Sequence, residues 1–224
     1  NAAATLVTGT VTATNNTVAL TSGTGSIELG SVAAGNSSIT AISGAAIVDA
    51  AGGGDAIADA TAATIDLTAA GAGGIGQGGN GSVDINATTI FTADTLAGAD
   101  GDITVDDVTG DFPLGAVTAG TGSVTFDAVA GSITDANGGP VNITATGATL
   151  SALNDIGDLN GGVVLAPVDS IETALSALTV TTDSLGSETA IENTIGGVLA
   201  VGSLTAGGVN AADALITNTN GLTV

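Results

Sequence analysis

The sequence predicts an all-β fold, specifically a parallel β-helix (β-solenoid), and three observations lead to it. Short segments of alternating apolar and polar residues recur about every ten residues. Asn-Gly pairs, which favour tight turns, occur at Asn80, Asn137, Asn160 and Asn220. The composition is rich in small residues, with 36 Gly and only three aromatic residues among 224. Small side chains suit closely stacked strands around a thin core.

Six segments show the alternation most clearly, with Ile, Val, Leu or Phe on one side and Ser, Thr, Asp or Asn on the other. They are 25–29, 63–67, 81–85, 122–126, 141–145 and 178–182. Roughly twenty strands fit the chain at this spacing. One segment, 169–178, has apolar residues at helical spacing behind a plausible N-cap, and it predicts one or two helical turns.

A longer spacing of about 86 residues relates several parts of the chain. Residues 105–120 resemble residues 191–207, and Ser38 and Ser123 begin similar triplets. With ~21 residues per solenoid coil, this spacing makes about four rungs and the chain about ten, a rod of about 50 Å. We therefore predict one continuous solenoid over 1–224. Its repeat units are 1–35 (partial), 36–121, 122–208 and 209–224 (partial).

A pair of β-sandwiches of about 100 residues each is the alternative architecture. Sandwich cores normally contain aromatic anchors, and the Gly/Ala-rich stretch 71–81 is the only candidate linker. Phe91, Phe112 and Phe126 are better explained as plugs in a thin core. Small inward side chains and abundant Gly at corners favour the solenoid.

The charge of the chain excludes many functions. It contains 22 Asp and Glu and no Lys, Arg or His, so its formal net charge is −22. Nucleic acids and anionic membranes repel such a chain. Without His, Cys, Lys, Arg or Tyr there is no Ser/His/Asp or Cys/His triad and no tetrahedral zinc site. Only carboxylates and hydroxyls remain, and we expect a protein that is not an enzyme and has no cofactor beyond weakly bound Ca²⁺.

A family resemblance rests on residues 131–152, 154–157, 171–175 and 178–182. They resemble the repeat region of large filamentous-haemagglutinin-like proteins of Gram-negative bacteria. The resemblance implies a right-handed parallel β-helix, export across the outer membrane, and a role as an adhesin or surface fibre. It implies an extracellular or cell-surface location. The implied partners are copies of the chain, the rest of a longer chain, or glycans and proteins on host or neighbouring cells. The matching motifs are structural, so no functional residue is transferred.

The densest acidic cluster contains six carboxylates that follow one another closely in the sequence: Asp94, Asp100, Asp102, Asp106, Asp107 and Asp111. Hard oxygen ligands beside a glycine can bind Ca²⁺, so Asp100, Asp102, Asp106 and Asp107 form a weak calcium candidate. The alternative is a solvated strand edge, because EF-hand spacing is absent. A rod with about two negative charges per rung also gains from loosely associated divalent cations, which screen repulsion between neighbouring rods.

Two further functions fit parts of the sequence less well. Asp106 with Asp107, or Asp155 with Asp158, offers an acid–base pair for a polysaccharide-cleaving β-helix. Sugar sites rely on aromatic platforms, and uronate-cleaving enzymes on Arg or Lys, so the sequence disfavours this role. Alternating threonines suggest an ice-binding face, but the rows are sporadic: Thr8, Thr10, Thr12 and Thr14, then Thr217 and Thr219.

The sequence thus predicts a structural, non-enzymatic segment of an extracellular bacterial fibre or filamentous adhesin, a rigid acidic rod used for surface attachment or in a biofilm matrix. The alternative is a filament subunit that stacks end to end. Both termini of the sequence are strand-like and lack a polar cap, which predicts either continuation in a longer chain or head-to-tail assembly.

Overall fold

The computed structural model describes residues 4–50, 57–76, 81–95, 100–159, 170–207 and 214–223. These ranges contain strands and no helix, so none of the described residues forms a helix that spans a membrane. The strands are β1 (Leu6–Val7), β2 (Thr10–Thr12), β3 (Val18–Ser22), β4 (Ile27–Leu29), β5 (Ser31–Ser43), β6 (Ile47–Asp49), β7 (Ala60–Ala69), β8 (Val83–Thr95), β9 (Ile103–Asp107), β10 (Phe112–Thr118), β11 (Ser123–Ala128), β12 (Ile133–Asp135), β13 (Ile143–Thr144), β14 (Gly147–Ala152), β15 (Ile171–Ala174), β16 (Ala177–Thr182), β17 (Thr189–Asn193), β18 (Leu199–Ala206), β19 (Ala214–Asn218) and β20 (Leu222–Thr223).

All described strand pairs are parallel, and each strand pairs with strands one turn before or after it. The pairing stacks equivalent positions into columns along the axis. The first column is Leu6, Ile27, Ile47, Ile75, Ile103, Val124, Ala148, Leu178 and Val201. The second runs from Val11 to Ala206 and the third from Leu20 to Asn218, each again with nine positions. The predicted all-β parallel β-helix is therefore confirmed.

The solenoid has about eight turns, fewer than the ten predicted. The reason is that its turns vary in length. The turn from Ala148 to Leu178, stacked neighbours in the first column, is half as long again as the turn from Ile27 to Ile47. At the usual spacing between strands, nine rungs span about 40 Å instead of the expected ~50 Å.

The 86-residue spacing is not a whole number of turns. Ser38 pairs with Thr64 beside the third column, but Ser123, its predicted equivalent, pairs with Gly147 beside the first. The sequence similarity at this spacing therefore relates strands in different parts of the turn. The division into units 36–121 and 122–208 stays a sequence-level prediction.

The core is a line of inward side chains along the axis. Ile27, Ile47, Ile75 and Ile103 stack directly on one another and are fully buried. The three aromatic rings fill the middle of the solenoid, as the sequence predicts. Phe91, Phe112 and Phe126 are fully buried and meet edge to face, with ring centroids 5.0–6.0 Å apart.

The expected helix at 169–178 is wrong over its described part. Residues 171–174 form β15, and β16 begins at Ala177. Ile171 pairs with Ile191, and Ala177 with Gly147 and Ala200. The helical spacing arises because the chain bends at Ser176, between β15 and β16. The alternation of inward and outward residues starts again after this bend.

Two of the predicted Asn-Gly turns lie in the described residues, and both are confirmed. Gly138 and Gly221, which follow Asn137 and Asn220, have φ values of 64° and 99°. This left-handed conformation is accessible to glycine at little cost. The pairs at Asn80 and Asn160 lie outside the described residues.

Removing one whole turn should leave a folded protein. Deleting residues 27–46 joins Ser26 to Ile47, which then pairs with Leu6 in place of Ile27, so each column loses one position and keeps its register. We expect a cooperative unfolding transition and a β-rich circular dichroism spectrum.

The matched control is deletion of residues 27–36, about half of that turn. This deletion shifts inward residues out of their columns, and we expect loss of cooperative unfolding. If the two deletions are equally stable, the register is not what holds the fold.

Candidate functional site

Carboxylate and amide side chains tie neighbouring turns together. In each case a side-chain oxygen accepts a hydrogen bond from a backbone N–H in the next turn. The ties, with donor–acceptor distances, are Asp102 Oδ1 to Ser123 N (2.8 Å), Asp111 Oδ1 to Ser132 N (2.9 Å), Asp155 Oδ1 to Glu188 N (2.7 Å), Asp59 Oδ2 to Asp84 N (3.1 Å) and Asn15 Oδ1 to Asn36 N (3.2 Å). A bond to an ionised carboxylate is charge-assisted and stronger than a neutral one, such as the bond to the Asn15 amide. Many of the acidic residues therefore hold the turns in place.

The four residues of the predicted calcium site have separate partners. Asp100 accepts a hydrogen bond from the Thr121 hydroxyl, at 3.0 Å, and Asp102 is one of the ties. Asp106 and Asp107 are adjacent in β9 and point to opposite sides of the strand. No group of three or more acidic residues able to hold a metal ion occurs in the described ranges. Calcium binding at these residues stays a prediction.

The two other members of the predicted acidic cluster also lie apart. Asp94 pairs with Thr68 and Thr118 in neighbouring turns, while Asp111 ties its turn to Ser132. Burial, with the nearby Asp66 carboxylate as a smaller cause, raises the pKa of Asp94.

A line of stacked carboxylates, which we call the carboxylate column, runs along the outside of β8, β9 and β11. It contains Asp84, Asp106 and Asp127, paired in register across three turns. The Ser82 hydroxyl donates to Asp106 Oδ2 at 2.7 Å and lies 3.4 Å from Asp84 Oδ1. Burial is the main cause that raises the pKa values of Asp106 and Asp127.

Asp59 lies beside this column and is 5 % exposed. Burial raises its pKa to about 8; the Asp84 N–H lowers it, and the Asp49 carboxyl, which shares a hydrogen bond with Asp59, raises it further. With no Lys, Arg or His in the chain, no cationic side chain balances these carboxylates. Asp59 therefore keeps its proton at neutral pH.

Asp107 is the inward neighbour of this column and is fully buried in the core. Its carboxyl accepts hydrogen bonds from the N–H groups of Ala87 (3.2 Å) and Thr109 (3.0 Å). Burial raises its pKa to about 7 despite these two bonds, which lower it. Buried carboxylates with such pKa values often mark functional sites, but here each has a structural partner.

Of the two carboxylate pairs considered for catalysis, Asp106 and Asp107 point to opposite sides of β9, while catalysis by Asp155 with Asp158 stays a hypothesis from the sequence. Asp106 bonds to Ser82 outside the strand, while Asp107 lies within the core. Asp155 ties its turn to Glu188 and donates its own N–H to the Ser132 hydroxyl. In the described residues these acidic groups serve the stacking of turns.

An inward amide ladder escaped the sequence reasoning. Asn193 Nδ2 donates to Asn218 Oδ1 one turn on, at 3.0 Å, and Asn193 Oδ1 accepts from the Thr173 hydroxyl one turn back, at 2.9 Å. Asn142, fully buried at a corner, donates to the Leu114 carbonyl and accepts from Glu172 N. The usable signal was the recurrence of Asn at strand ends, as in 191–193 and 216–218.

The alternating threonines of the sequence, judged sporadic there, do not continue as rows over several turns. Thr10 and Thr12 pair with Ser31 and Ala33, and Thr217 pairs with Glu192. A different row does extend: Thr125, Thr149, Thr179 and Ser203 pair in sequence across four turns. Sequence reasoning missed it because its members are unequally spaced along the chain, so no fixed period shows them.

No protein-family model, no curated protein and no solved structure matches the chain. The resemblance to filamentous-haemagglutinin-like proteins therefore stays a prediction.

The raised pKa values predict that acid stabilises the fold. Asp59 and Asp107 have pKa values of about 8 and about 7 in the folded chain, against an ordinary value of 3.8. Their stabilising protonation is complete below about pH 4 and is lost as pH rises through 7 to 8, by at most about 1.4 kcal/mol per pH unit for each group. We expect a higher melting temperature at pH 5 than at pH 8 at constant ionic strength.

Substitutions test whether Asp59 and Asp107 cause the difference in melting temperature between pH 5 and pH 8. Asp59→Asn and Asp107→Asn should each reduce the difference between the two pH values. Thr12→Ala, a control at an exposed position without a titratable group, should leave that difference unchanged. A melting temperature that rises from pH 5 to pH 8 would contradict the prediction.

Proposed function

We propose that the chain is a structural, non-enzymatic segment of an extracellular bacterial surface fibre or filamentous adhesin. The single observation that carries the proposal is the unbroken pairing of three columns through about eight turns. Parallel pairing on every side of a closed turn gives a straight, stiff element whose length is set by the number of turns. Such an element suits a stalk or the body of a fibre.

The distribution of functional groups supports this role. Several acidic side chains tie turns together or stack in the carboxylate column. One depression on the described surface is an open trough lined mainly by small residues, Gly147, Ala148, Ala177 and Ala200, with neighbouring threonines. Enclosed substrate clefts normally combine concavity with converging polar groups.

The charge supports an exposed rod. A net charge of −22, with no positive side chain, makes parallel rods repel one another at low ionic strength. Divalent cations screen this repulsion, so association between rods is expected to depend on Ca²⁺ or Mg²⁺.

A filament subunit that stacks end to end is the second candidate. The observation that favours it is the exposure of apolar side chains in the last described turn, with Leu204 43 %, Leu215 39 % and Leu222 43 % exposed. A copy of the chain, or further turns of a longer chain, would cover these side chains and pair the strand edges beside them.

The experiment measures where the protein lies in the cell and how the length of the fibre depends on the number of turns. Antibodies raised against the chain should label the outside of the cells that produce it, as seen by immunogold electron microscopy. Duplicating residues 27–46 within the native protein adds one turn and should lengthen the labelled fibre by about 5 Å for each copy. Ten copies give a change that electron micrographs resolve.

Labelling confined to the cytoplasm would overturn the proposal. The same holds for release of reducing sugars from polysaccharide by the purified chain, since that would make it an enzyme. A purified chain that polymerises by itself, with fibres whose mass per length equals one chain per ~40 Å, would select the filament candidate over the stalk.

A further inference from the structure

One outward surface, which we call the hydroxyl face, is built from β11, β14, β16 and β18. Its first row is Thr125, Thr149, Thr179 and Ser203, and its second row, two residues further along each strand, continues as Ser151, Thr181 and Thr205. The residues between them, such as Phe126, Leu150 and Val180, are buried in the core. The alternation of the strands therefore places every hydroxyl of both rows on the outside.

The two rows form a two-dimensional array. Neighbours within a row are separated by the spacing between strands, about 4.8 Å, and the rows are separated by two residues, about 6.6 Å. The six residues of β11, β14 and β16 pair one to one without a register shift. The register shifts only in β18, where Gly202 is skipped and Ser203 pairs with Thr179.

Most hydroxyls of the array are free. Within the described part of the chain, those of Thr125, Thr149, Thr179, Thr181 and Thr205 make no hydrogen bond to another protein group. Ser151 differs, because it bonds to Asp127 at the edge of the face. Threonine is β-branched and has few rotamers, so ordering these side chains costs little entropy.

The part of the array on β14, β16 and β18 is uncharged in a chain that is otherwise strongly acidic, whereas the second row begins on β11 with Asp127, which pairs with Ser151. The outward residues of β14, β16 and β18 across this face are Gly, Ala, Ser and Thr only. Another outward row, Thr40, Asp66 and Thr92, contains a carboxylate, and Thr92 donates its hydroxyl to it at 2.9 Å. A neutral partner is therefore favoured on the hydroxyl face and disfavoured on the other row.

A shallow trough runs beside the first row. Small residues line its floor: Ser123, Gly147, Ala177 and Ala200. Its volume is about 250 Å³, enough for a file of several water molecules. Methyl groups of Ala and Thr lie beside hydroxyls there, so the trough offers water both apolar surface and hydrogen-bonding partners.

We propose that the hydroxyl face binds to the surface of ice. A crystal face of ice presents neutral oxygen atoms in two perpendicular rows at separations similar to those of this array. Rigid, uncharged and regularly spaced hydroxyls match such a lattice, with the trough waters as its first layer. This inference is independent of the fibre role, because it concerns one side of the rod and not its length.

The test uses the full chain in slowly grown ice. The fraction of protein incorporated into the ice, compared with the fraction left in the liquid, measures adsorption, and inhibition of ice recrystallisation measures its effect. We expect the native chain to be incorporated and to inhibit recrystallisation. The variant Thr149→Tyr/Thr179→Tyr should lose both properties because its rings stand above the plane of the array.

The control variant Thr10→Tyr/Thr12→Tyr carries the same change at two exposed positions outside the face, and it should behave like the native chain. Circular dichroism and melting temperature check the folding of each variant. If the tyrosine variant does not fold, Thr149→Val/Thr179→Val replaces it, since valine keeps the shape and removes only the hydroxyls; it should weaken adsorption.

Three results would overturn the proposal. The native chain is excluded from ice, or the two tyrosine variants lose adsorption equally, or the native chain binds microcrystalline cellulose and leaves ice unaffected. The last result would show that the array recognises a crystalline polysaccharide in place of ice.

Discussion

The in-register stacking of one turn on the next is the constraint on which the rest of the structure depends. A turn contributes one inward residue to each column, and its backbone hydrogen bonds are satisfied only by the turns before and after it. Side chains at column positions must fit those neighbours, whereas corners need only return the chain to the next column. The turns accordingly differ in length while Ile27, Ile47, Ile75 and Ile103 stay aligned.

Acidic residues have an unusual part in this arrangement. In most proteins carboxylates are balanced by Lys, Arg or His, but this chain has none, so its carboxylates bond to backbone N–H groups and hydroxyls of adjacent turns. Asp59 and Asp107 accept such bonds too, but their burial raises their pKa values to about 8 and about 7. The absence of Lys, Arg and His therefore accounts both for the hydrogen bonds between turns and for the higher stability expected at acid pH.

Period-two alternation was sufficient to predict strands and a parallel solenoid, because it reports which residues of a short segment face inward. It was insufficient for the number of turns, since the corner lengths that set this number have no period. The false helix at 169–178 came from a corner at Ser176 that mimics helical spacing.

The contacts of the candidate-site residues were harder to predict from the sequence than the strands were. The partner of Asp155 is Glu188, far along the chain, and the members of the hydroxyl face are separated by whole turns of unequal length. Such separations follow from the fold and are not visible before it is known.

The direction of the hydrogen bonds between turns has a mechanical consequence. They run along the axis of the rod, so a pull on one end of the chain loads the bonds of a single turn, and that turn peels away while the others stay intact. A released turn unwinds to about 70–100 Å of extended chain, against about 5 Å of rod that it had occupied. A pulled solenoid of this kind would therefore lengthen in steps, one turn at a time.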